Sequence, residues 1–343
     1  MQFSPRKPKS LEKATILLTG AAGFIGSHTS EQLITSGHRV IGLDDLSTGR
    51  MSNLWNVINH ENFTFVKGDV LSSRLLNRLC KDFKPDAIIH LAGLVSVVVA
   101  QANPEKNFRL NLQASQAVAS AAKRNKIKRI VFASSAAVYG DIAEPLIHEN
   151  CPTRPIGLYG GAKLASEELL LAHSVSYGME VVCLRYFNVY GDRQDPKNPY
   201  SGVISIFADR FANRKPVTVF GDGEQTRDFV SVRDVARANV LAATNLRVES
   251  GSRNICTGKC RSINELIDIF AAIYPDAPRP NYADPREGEI IHSCGNGGYA
   301  SMVLGFEPYI SLEDGLCDLV AIQRFEDAHR LTLEPVQAEV VIS

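Results

Sequence analysis

Gly20, Gly23 and Gly26 follow the apolar run 14–18 (Ala-Thr-Ile-Leu-Leu) and precede a helical pattern that reaches about Ser36. No other feature constrains the fold as tightly. A buried strand that ends in a glycine-rich turn and opens into a helix leaves backbone N–H groups free at the helix N-terminus, where a pyrophosphate can be held. The spacing is G-x-x-G-x-x-G, which still permits a tight turn and close approach of a ligand to the backbone.

The rhythm continues downstream. Strands are expected at 39–43, 63–67, 87–90, 129–133 and 180–185, with helices at 74–82, 108–125 and 159–177. Alternating strands and helices predict an α/β fold: a doubly wound parallel sheet of Rossmann type with right-handed crossovers. Beyond residue 188 the alternation breaks. A long loop is expected over 190–201, then a helix at 203–213, a short strand at 217–220 and a helix from 232 to about 245 that returns to the first domain. Ser262, followed three residues on by Glu265, reads as the capped start of a helix to 272, with loops after it. The expected division is a flexible leader (1–13), a dinucleotide-binding domain (14–188 with about 229–258), a smaller discontinuous C-terminal α/β substrate domain (189–228 with 259–325) and a patternless tail (326–343).

Lys plus Arg and Asp plus Glu each number 37, so nothing in the charge balance calls for nucleic acid or an anionic membrane. No apolar run approaches the ~18 residues needed to span a bilayer; the nearest, 91–100, reads as a buried strand and loop. Seven scattered cysteines, an odd number, suggest reduced thiols and a cytoplasmic protein. Cys256 and Cys260 have no second ligand pair, so no metal site is expected.

The second strand ends at Asp44-Asp45. A carboxylate at Asp44 can accept hydrogen bonds from both ribose hydroxyls of an adenosine and repels a 2′-phosphate, which favours NAD over NADP. Arg50 is the nearest arginine that could welcome such a phosphate. Asp69 and Val70 after the third strand could flank the adenine, and Leu91, Ala92 and Gly93 after the fourth could pass beneath the ribose and nicotinamide. Tyr159 and Lys163 are four apart on a helix and so share a face. The ammonium is expected to lower the phenol pKa and fit Tyr159 to act as a base toward an alcohol or sugar hydroxyl.

These features, with Gly68-Asp69-Val70, His90-Leu-Ala-Gly93, Ser134-Ser-Ala-Ala-Val-Tyr-Gly140, Leu184-Arg-Tyr-Phe-Asn188, Gly221-Asp-Gly-x-Gln-Thr-Arg227 and Arg286-Glu-Gly-Glu289, resemble the extended short-chain dehydrogenase/reductase family, and within it the nucleotide-sugar 4-epimerases. The resemblance runs from about 14 to 320. It implies Ser135, Tyr159 and Lys163 as catalytic residues, with Lys163 also holding the nicotinamide ribose. It adds Phe24, Ile25, Thr48, Gly49 and Tyr186 to the NAD contacts. It implies Ser135, Asn188, Val203, Phe220, Arg227 and Arg286 as contacts of a nucleotide-diphosphate sugar, UDP by family frequency. A homodimer through helices 108–125 and 159–177 is also implied.

The residues after Ser135 separate the chemistries of such a family. The dehydratases place an Asp-Glu pair there to eliminate water, and the 3,5-epimerases need a cysteine–lysine pair; this chain has Ala136 and Ala137. Oxidation and re-reduction at C4 remain. A net dehydrogenase or reductase, and a nucleotide-binding sensor without turnover, are the alternatives. Ser293 aligns with a position whose bulk gates N-acetylated sugars, so N-acetylhexosamines or uronates fit, although Cys294-Gly-Asn-Gly-Gly-Tyr299 departs from the family pattern there.

Overall fold

The structure, a computed structural model, describes residues 10–195, 202–285 and 290–329. Strand β1 (Thr15–Thr19) is followed by helix α1 (Phe24–Thr35), β2 (Arg39–Asp44), β3 (Phe63–Lys67), α2 (Ser73–Phe83) and β4 (Ala87–His90). The chain continues through α3 (Val97–Ala102), α4 (Pro104–Asn107), a π-helical turn (Phe108–Gln113) and α5 (Ala114–Arg124) to β5 (Arg129–Ser135), α6 (Leu158–Tyr177) and β6 (Glu180–Tyr186). The strands form one parallel seven-stranded sheet in the order β10-β6-β5-β4-β1-β2-β3, with β10 (Gly251–Ile255) on the outer edge beside β6. Both faces are covered, so central strands such as Ile16-Leu17-Leu18 and Val181-Val182-Cys183-Leu184 are apolar without alternation and wholly buried. One core packs under α1 and α8 (Val232–Thr244), the other under α2, α5 and α6.

A second, smaller assembly follows. Here β7 (Asn188–Tyr190) pairs in parallel with β9 (Thr226–Ser231), which is also flanked by β11 (Cys260–Ser262) and β13 (His292–Ser293). A two-stranded pair, β8 (Thr218–Phe220) with β12 (Asn281–Ala283), lies apart from it. Helices α7 (Val203–Ala212), α9 (Ile263–Ile273) and α11 (Leu312–His329) surround a third core in which the Phe211 and Phe270 rings stack at 5.2 Å between centroids. Ser262 caps α9 reciprocally with Glu265, as its sequence signature requires.

Several expectations need correction. The run 91–100 holds no strand and is loop only to Ser96: the Ser96 hydroxyl accepts from the Val99 N–H and caps helix α3, which starts at Val97 despite its β-branched residues. The region after 272 is not only loop, since α10 (Gly298–Leu304) and α11 form there, and α11 carries helix past 325. The expected loop begins later than Tyr190, because Asn188–Tyr190 finds a partner in β9; residues 196–201 lie outside the described residues. The leader is tied down at its end: Ser10 bridges Asn245, and the Leu11 N–H donates to the Thr244 carbonyl at 3.0 Å.

Candidate active site

The sheet order reverses between β1 and β4, and the loops leaving those strands diverge to open a crevice at their carboxyl ends. Both walls are backbone. Gly20 has φ +74°, and a Cβ there would lie 2.7 Å from the Ala92 nitrogen on the opposite wall. A Cβ on Gly26 would lie 1.9 Å from the Gly20 carbonyl oxygen, so only glycine lets α1 start this close to the turn. Gly23 is the N-cap of α1, and no side chain satisfies its first-turn N–H groups. Those donors fit a pyrophosphate. Phe24 and Ile25 are half-buried in that same first turn.

Asp44 ends β2, buried, with its carboxylate bonded to the N–H groups of Ala22 at 2.9 Å and Leu46 at 2.8 Å. Burial pushes its pKa up, against the pull of these backbone donors. The carboxylate thus ties the glycine turn to the next strand and keeps lone pairs for ribose hydroxyls. Gly49 packs against it, since a Cβ there would stand 2.9 Å from Asp44 Oδ1, and Thr48 beside it is exposed. Arg50 pairs with the carboxylate of Asp195. Asp69 is exposed and turns back on the Leu71 N–H at 2.8 Å, whereas Val70 is buried. Leu91, Ala92 and Gly93 run half-buried along the second wall.

Deeper in the crevice, β5 ends at Ser135 and α6 begins at Leu158. Gly160 makes their approach possible: a Cβ there would lie 2.5 Å from the Ala137 carbonyl oxygen. Tyr159 is half-buried in the first turn of α6, with the Ser135 hydroxyl as its hydrogen-bonding neighbour. Ser135 Oγ also accepts from the Ala137 N–H at 3.2 Å. Lys163 is buried; its Nζ donates to the Ala133 carbonyl at 2.9 Å and lies 5.9 Å from the Tyr159 ring centroid. The expectation that Lys163 lowers the phenol pKa is corrected here. Burial pushes Tyr159 up, and the group that opposes this is Ser135. Shared helical face did not decide the contact, because the long lysine stem delivers its ammonium to the end of β5. Burial lowers Lys163 itself to about 8, against the attraction of Glu167.

Tyr186 is corrected in part. Its backbone lies in register with Ser135, at the crevice edge, but the side chain is in the core and its hydroxyl donates to Asn239 Oδ1 at 2.6 Å.

Sequence reasoning missed Asn111. The π-helical turn widens the helix by one residue per turn there and aims the side chain at Gly93, whose Cβ would lie 2.7 Å from Asn111 Oδ1. Its Nδ2 is held by the carbonyl of Leu94 and by Asn107 Oδ1, leaving Oδ1 buried with no protein partner. His90 Nε2 and Ser134 Oγ are also buried without partners. His90 is bonded through Nδ1 to Thr19 and pushed down to about 3 by burial and by Lys163, so it is neutral. The two glycine-lined walls, the uncapped helix and the orphaned Asn111 oxygen together fit NAD. The signal that could have found Asn111 is an asparagine in a helix interior, where it has poor propensity.

Of the expected substrate contacts, Asn188 and Arg227 lie on the paired strands β7 and β9. Asn188 Nδ2 donates to the Asp228 carbonyl at 3.3 Å, and Arg227 Nη1 donates to the carbonyls of Thr226 at 2.8 Å and Ile291 at 3.3 Å. Val203 opens α7 and Phe220 closes β8, both half-buried. Arg286 lies outside the described residues. Asp228, unforeseen, anchors this lobe: its buried carboxylate accepts from Thr257 N and Oγ1, Gly258 N and Gly295 N. Over it, Cys260 and Cys294 form a disulfide with Cα atoms 5.6 Å apart, which corrects the expectation of seven reduced thiols. The sequence separation of 34 hid this pair; β11 and β13, packed on either side of β9, bring it together.

The chain resembles known proteins along nearly its whole length. UDP-glucose 4-epimerase of Mycolicibacterium smegmatis is 36% identical over 90% of this chain and 98% of the relative. The structure of UDP-N-acetylglucosamine 4-epimerase from Methanobrevibacter ruminantium, in complex with UDP-N-acetylmuramic acid, superposes with a TM-score of 0.87 at 36% identity, covering 92% of this chain and all of that one. That of UDP-glucose 4-epimerase from Thermus thermophilus, complexed with NAD, gives 0.81 at 34% identity, covering 90% and 99%. The family model of the NAD dependent epimerase/dehydratase family matches residues 16–256. On these grounds, and on the crevice described above, this protein belongs to the NAD dependent epimerase/dehydratase family.

Proposed function

We propose that this protein inverts C4 of a UDP-sugar through a transient 4-keto intermediate. One observation carries the reading: Ser135 and Tyr159 meet where β5 ends and α6 begins, while Ala136 and Ala137, next in the chain, offer no second acid or base. NAD, when bound, accepts and returns the C4 hydride. Tyr159 takes the proton of the 4-hydroxyl, and Ser135 hydrogen-bonds the same oxygen and stabilises the phenolate. Lys163 would hold the nicotinamide ribose and supply positive charge at the end of β5. The keto sugar turns over in the pocket and regains its proton from Tyr159. Such turning needs a loosely held sugar and a firmly held diphosphate; Arg227, Arg286 and Asn188 are assigned to that diphosphate, with Val203 and Phe220 beside the base.

Residues 14–188 with about 229–258 are taken as the NAD unit and 189–228 with 259–325 as the nucleotide-sugar unit. Ser293, small and in register with Arg227, supports acceptance of N-acetylhexosamines and hexuronates besides hexoses. A groove of about 560 Å³ along α4, the π turn and α6, with Phe108, Ile156 and Leu158 exposed at it, supports a homodimer through helices 108–125 and 159–177. Among the described residues no helix is long and apolar enough to cross a membrane.

The test is incubation with UDP-hexoses, UDP-N-acetylhexosamines and UDP-hexuronates, followed by NMR of the C4 configuration and by nicotinamide absorbance. The expected result is a mixture of C4 epimers with no net change in absorbance. Stoichiometric absorbance change, or no new epimer from any member of the panel, overturns the reading. Sedimentation at micromolar concentration tests the dimer, and a monomer refutes it.

A further inference from the structure

Between β7 and α7 the chain folds back onto the dinucleotide unit as a strap over residues 191–195. Gly191 seats it: a Cβ there would stand 2.4 Å from Val232 Cγ1 of α8 and 3.7 Å from the Phe24 ring in the first turn of α1. The Asp192 carbonyl accepts from Nε2 of buried His28 on α1 at 3.2 Å. Arg193 makes the central contact. Its Nη2 pairs with Glu31 Oε1 of α1 at 2.7 Å, and its Nη1 donates to the Asn53 carbonyl at 3.1 Å. Asn53 sits in a short 3₁₀ turn, Met51–Leu54, and its Nδ2 donates to the Ala22 carbonyl of the glycine turn at 2.8 Å. The Arg50 N–H donates to that same carbonyl at 3.0 Å, and the Arg50 side chain pairs with Asp195 at the end of the strap. Arg193 has φ +66°, a left-handed backbone that a residue with a Cβ keeps only where its surroundings hold it.

We propose that Arg193 is a positioning residue for the cofactor: by bridging Glu31 and the Asn53 carbonyl it latches segment 48–53 against the glycine turn and slows the escape of NAD. The inference rests on the glycine crevice as the NAD site and not on C4 inversion. Segment 48–53 walls the adenosine end of that crevice. A Cβ on Gly49 would lie 2.9 Å both from Asp44 Oδ1 and from the Ala22 carbonyl carbon, and a carboxylate closing the second strand is where the adenosine ribose is held. Of residues 45–53 only Gly49 is buried, so apolar packing holds this wall weakly and its polar ties decide how often it opens. The Arg50–Asp195 pair is solvent-exposed and adds little. The Arg193 and Glu31 side chains are largely covered, at 16% and 25% exposure, and the guanidinium fork serves carboxylate and carbonyl together, so the latch falls to Arg193.

The experiment follows exchange of bound NAD against an excess of isotope-labelled NAD, read by mass spectrometry on the re-isolated holoenzyme with no sugar nucleotide present. It compares wild type with Arg193→Gln, Arg193→Lys and Glu31→Gln. The control is Arg129→Gln, which breaks an ion pair with Glu180 at the opposite end of the sheet, where β5 and β6 begin. Arg193→Gln is expected to exchange NAD about tenfold faster, and Glu31→Gln to move the same way by less. Arg193→Lys, which keeps the charge but not the fork, should fall between wild type and Arg193→Gln. Hydrogen exchange of peptides covering 48–53 should quicken in Arg193→Gln. Arg129→Gln is expected to lower the urea midpoint while both exchanges stay as in wild type, a separation that general destabilisation would not produce. If Arg193→Gln fails to fold, Glu31→Gln decides by the same comparison. Wild-type NAD exchange in the Arg193 and Glu31 variants, equal acceleration in Arg129→Gln, or a wild type that takes up no NAD overturns the proposal. Absence of C4 inversion in wild type instead overturns the functional reading, and NAD exchange still reports on Arg193.

Discussion

The Gly26 Cα and the Gly20 carbonyl oxygen are packed so closely that a methyl group on Gly26 would stand 1.9 Å from that oxygen. The turn and the first turn of α1 are therefore one rigid unit, built around the N–H groups that face the crevice. Gly26→Ala is expected to destabilise the protein by roughly 1–3 kcal/mol through overpacking. It is also expected to purify without bound NAD, read from the nicotinamide absorbance released on denaturation. Retention of NAD at the wild-type level would show that the cofactor does not depend on this contact.

Tyr159→Phe keeps the ring and removes the hydroxyl assigned to move the C4 proton. Its epimerisation rate is expected to fall about a hundred- to ten-thousandfold, with the circular dichroism spectrum unchanged. Interconversion measured by NMR within tenfold of wild type would assign the base elsewhere.

His90 carries a pH prediction whose sign follows from its burial. Its pKa falls from 6.5 to about 3 in the fold, so the unfolded chain binds the proton more readily. The corresponding stability is full above the unfolded value and is lost as pH drops toward the folded one. Urea midpoints are expected to reveal a loss of roughly 3 kcal/mol from this residue between about pH 7 and pH 4. His90→Asn, which can still bond Thr19, should flatten that part of the acid dependence. An identical acid slope in the variant would place the sensitive group elsewhere.

The Cys260–Cys294 bond closes a loop with a sequence separation of 34 and so constrains the unfolded chain by about 3–4 kcal/mol. Thiol titration in denaturant is expected to find the five free cysteines, and all seven only after reduction. Cys294→Ser should lower Tm in the absence of reductant and match wild type in its presence. Seven reactive thiols before reduction would show the pair unbonded.

Much of the dinucleotide fold was legible because its signals are local. The apolar strands, the glycine turn, the Ser262 capping box and the Tyr159–Lys163 spacing each lie within a few residues of one another. β10 was not legible: Gly251–Ile255 contains Ser, Arg and Asn, and the side chains of Ser252 and Asn254 are satisfied by residues far along the chain, Glu167 for Ser252 and Tyr139 for Asn254. The helices after 272 were missed for a similar reason, since their apolar residues find partners only in distant elements: Ala300 and Leu304 of α10 join the core under α1 and α8, and Leu312, Leu316 and Leu319 of α11 join that of Phe207, Phe211 and Phe270.

The sequence alone determined that a glycine turn would present a helix N-terminus to a dinucleotide and that Tyr159 and Lys163 would share a helical face, because strand–turn–helix geometry follows from neighbouring residues; Ser135 was named only by the family resemblance. Tertiary structure decided the partners. It set Ser135 rather than Lys163 against the Tyr159 phenol, turned Asn111 onto Gly93, buried Glu167 against Arg185 and joined Cys260 to Cys294. Each of those contacts depends on strand register and helix placement, which are fixed by burial of the whole core and not by the spacing of any one motif.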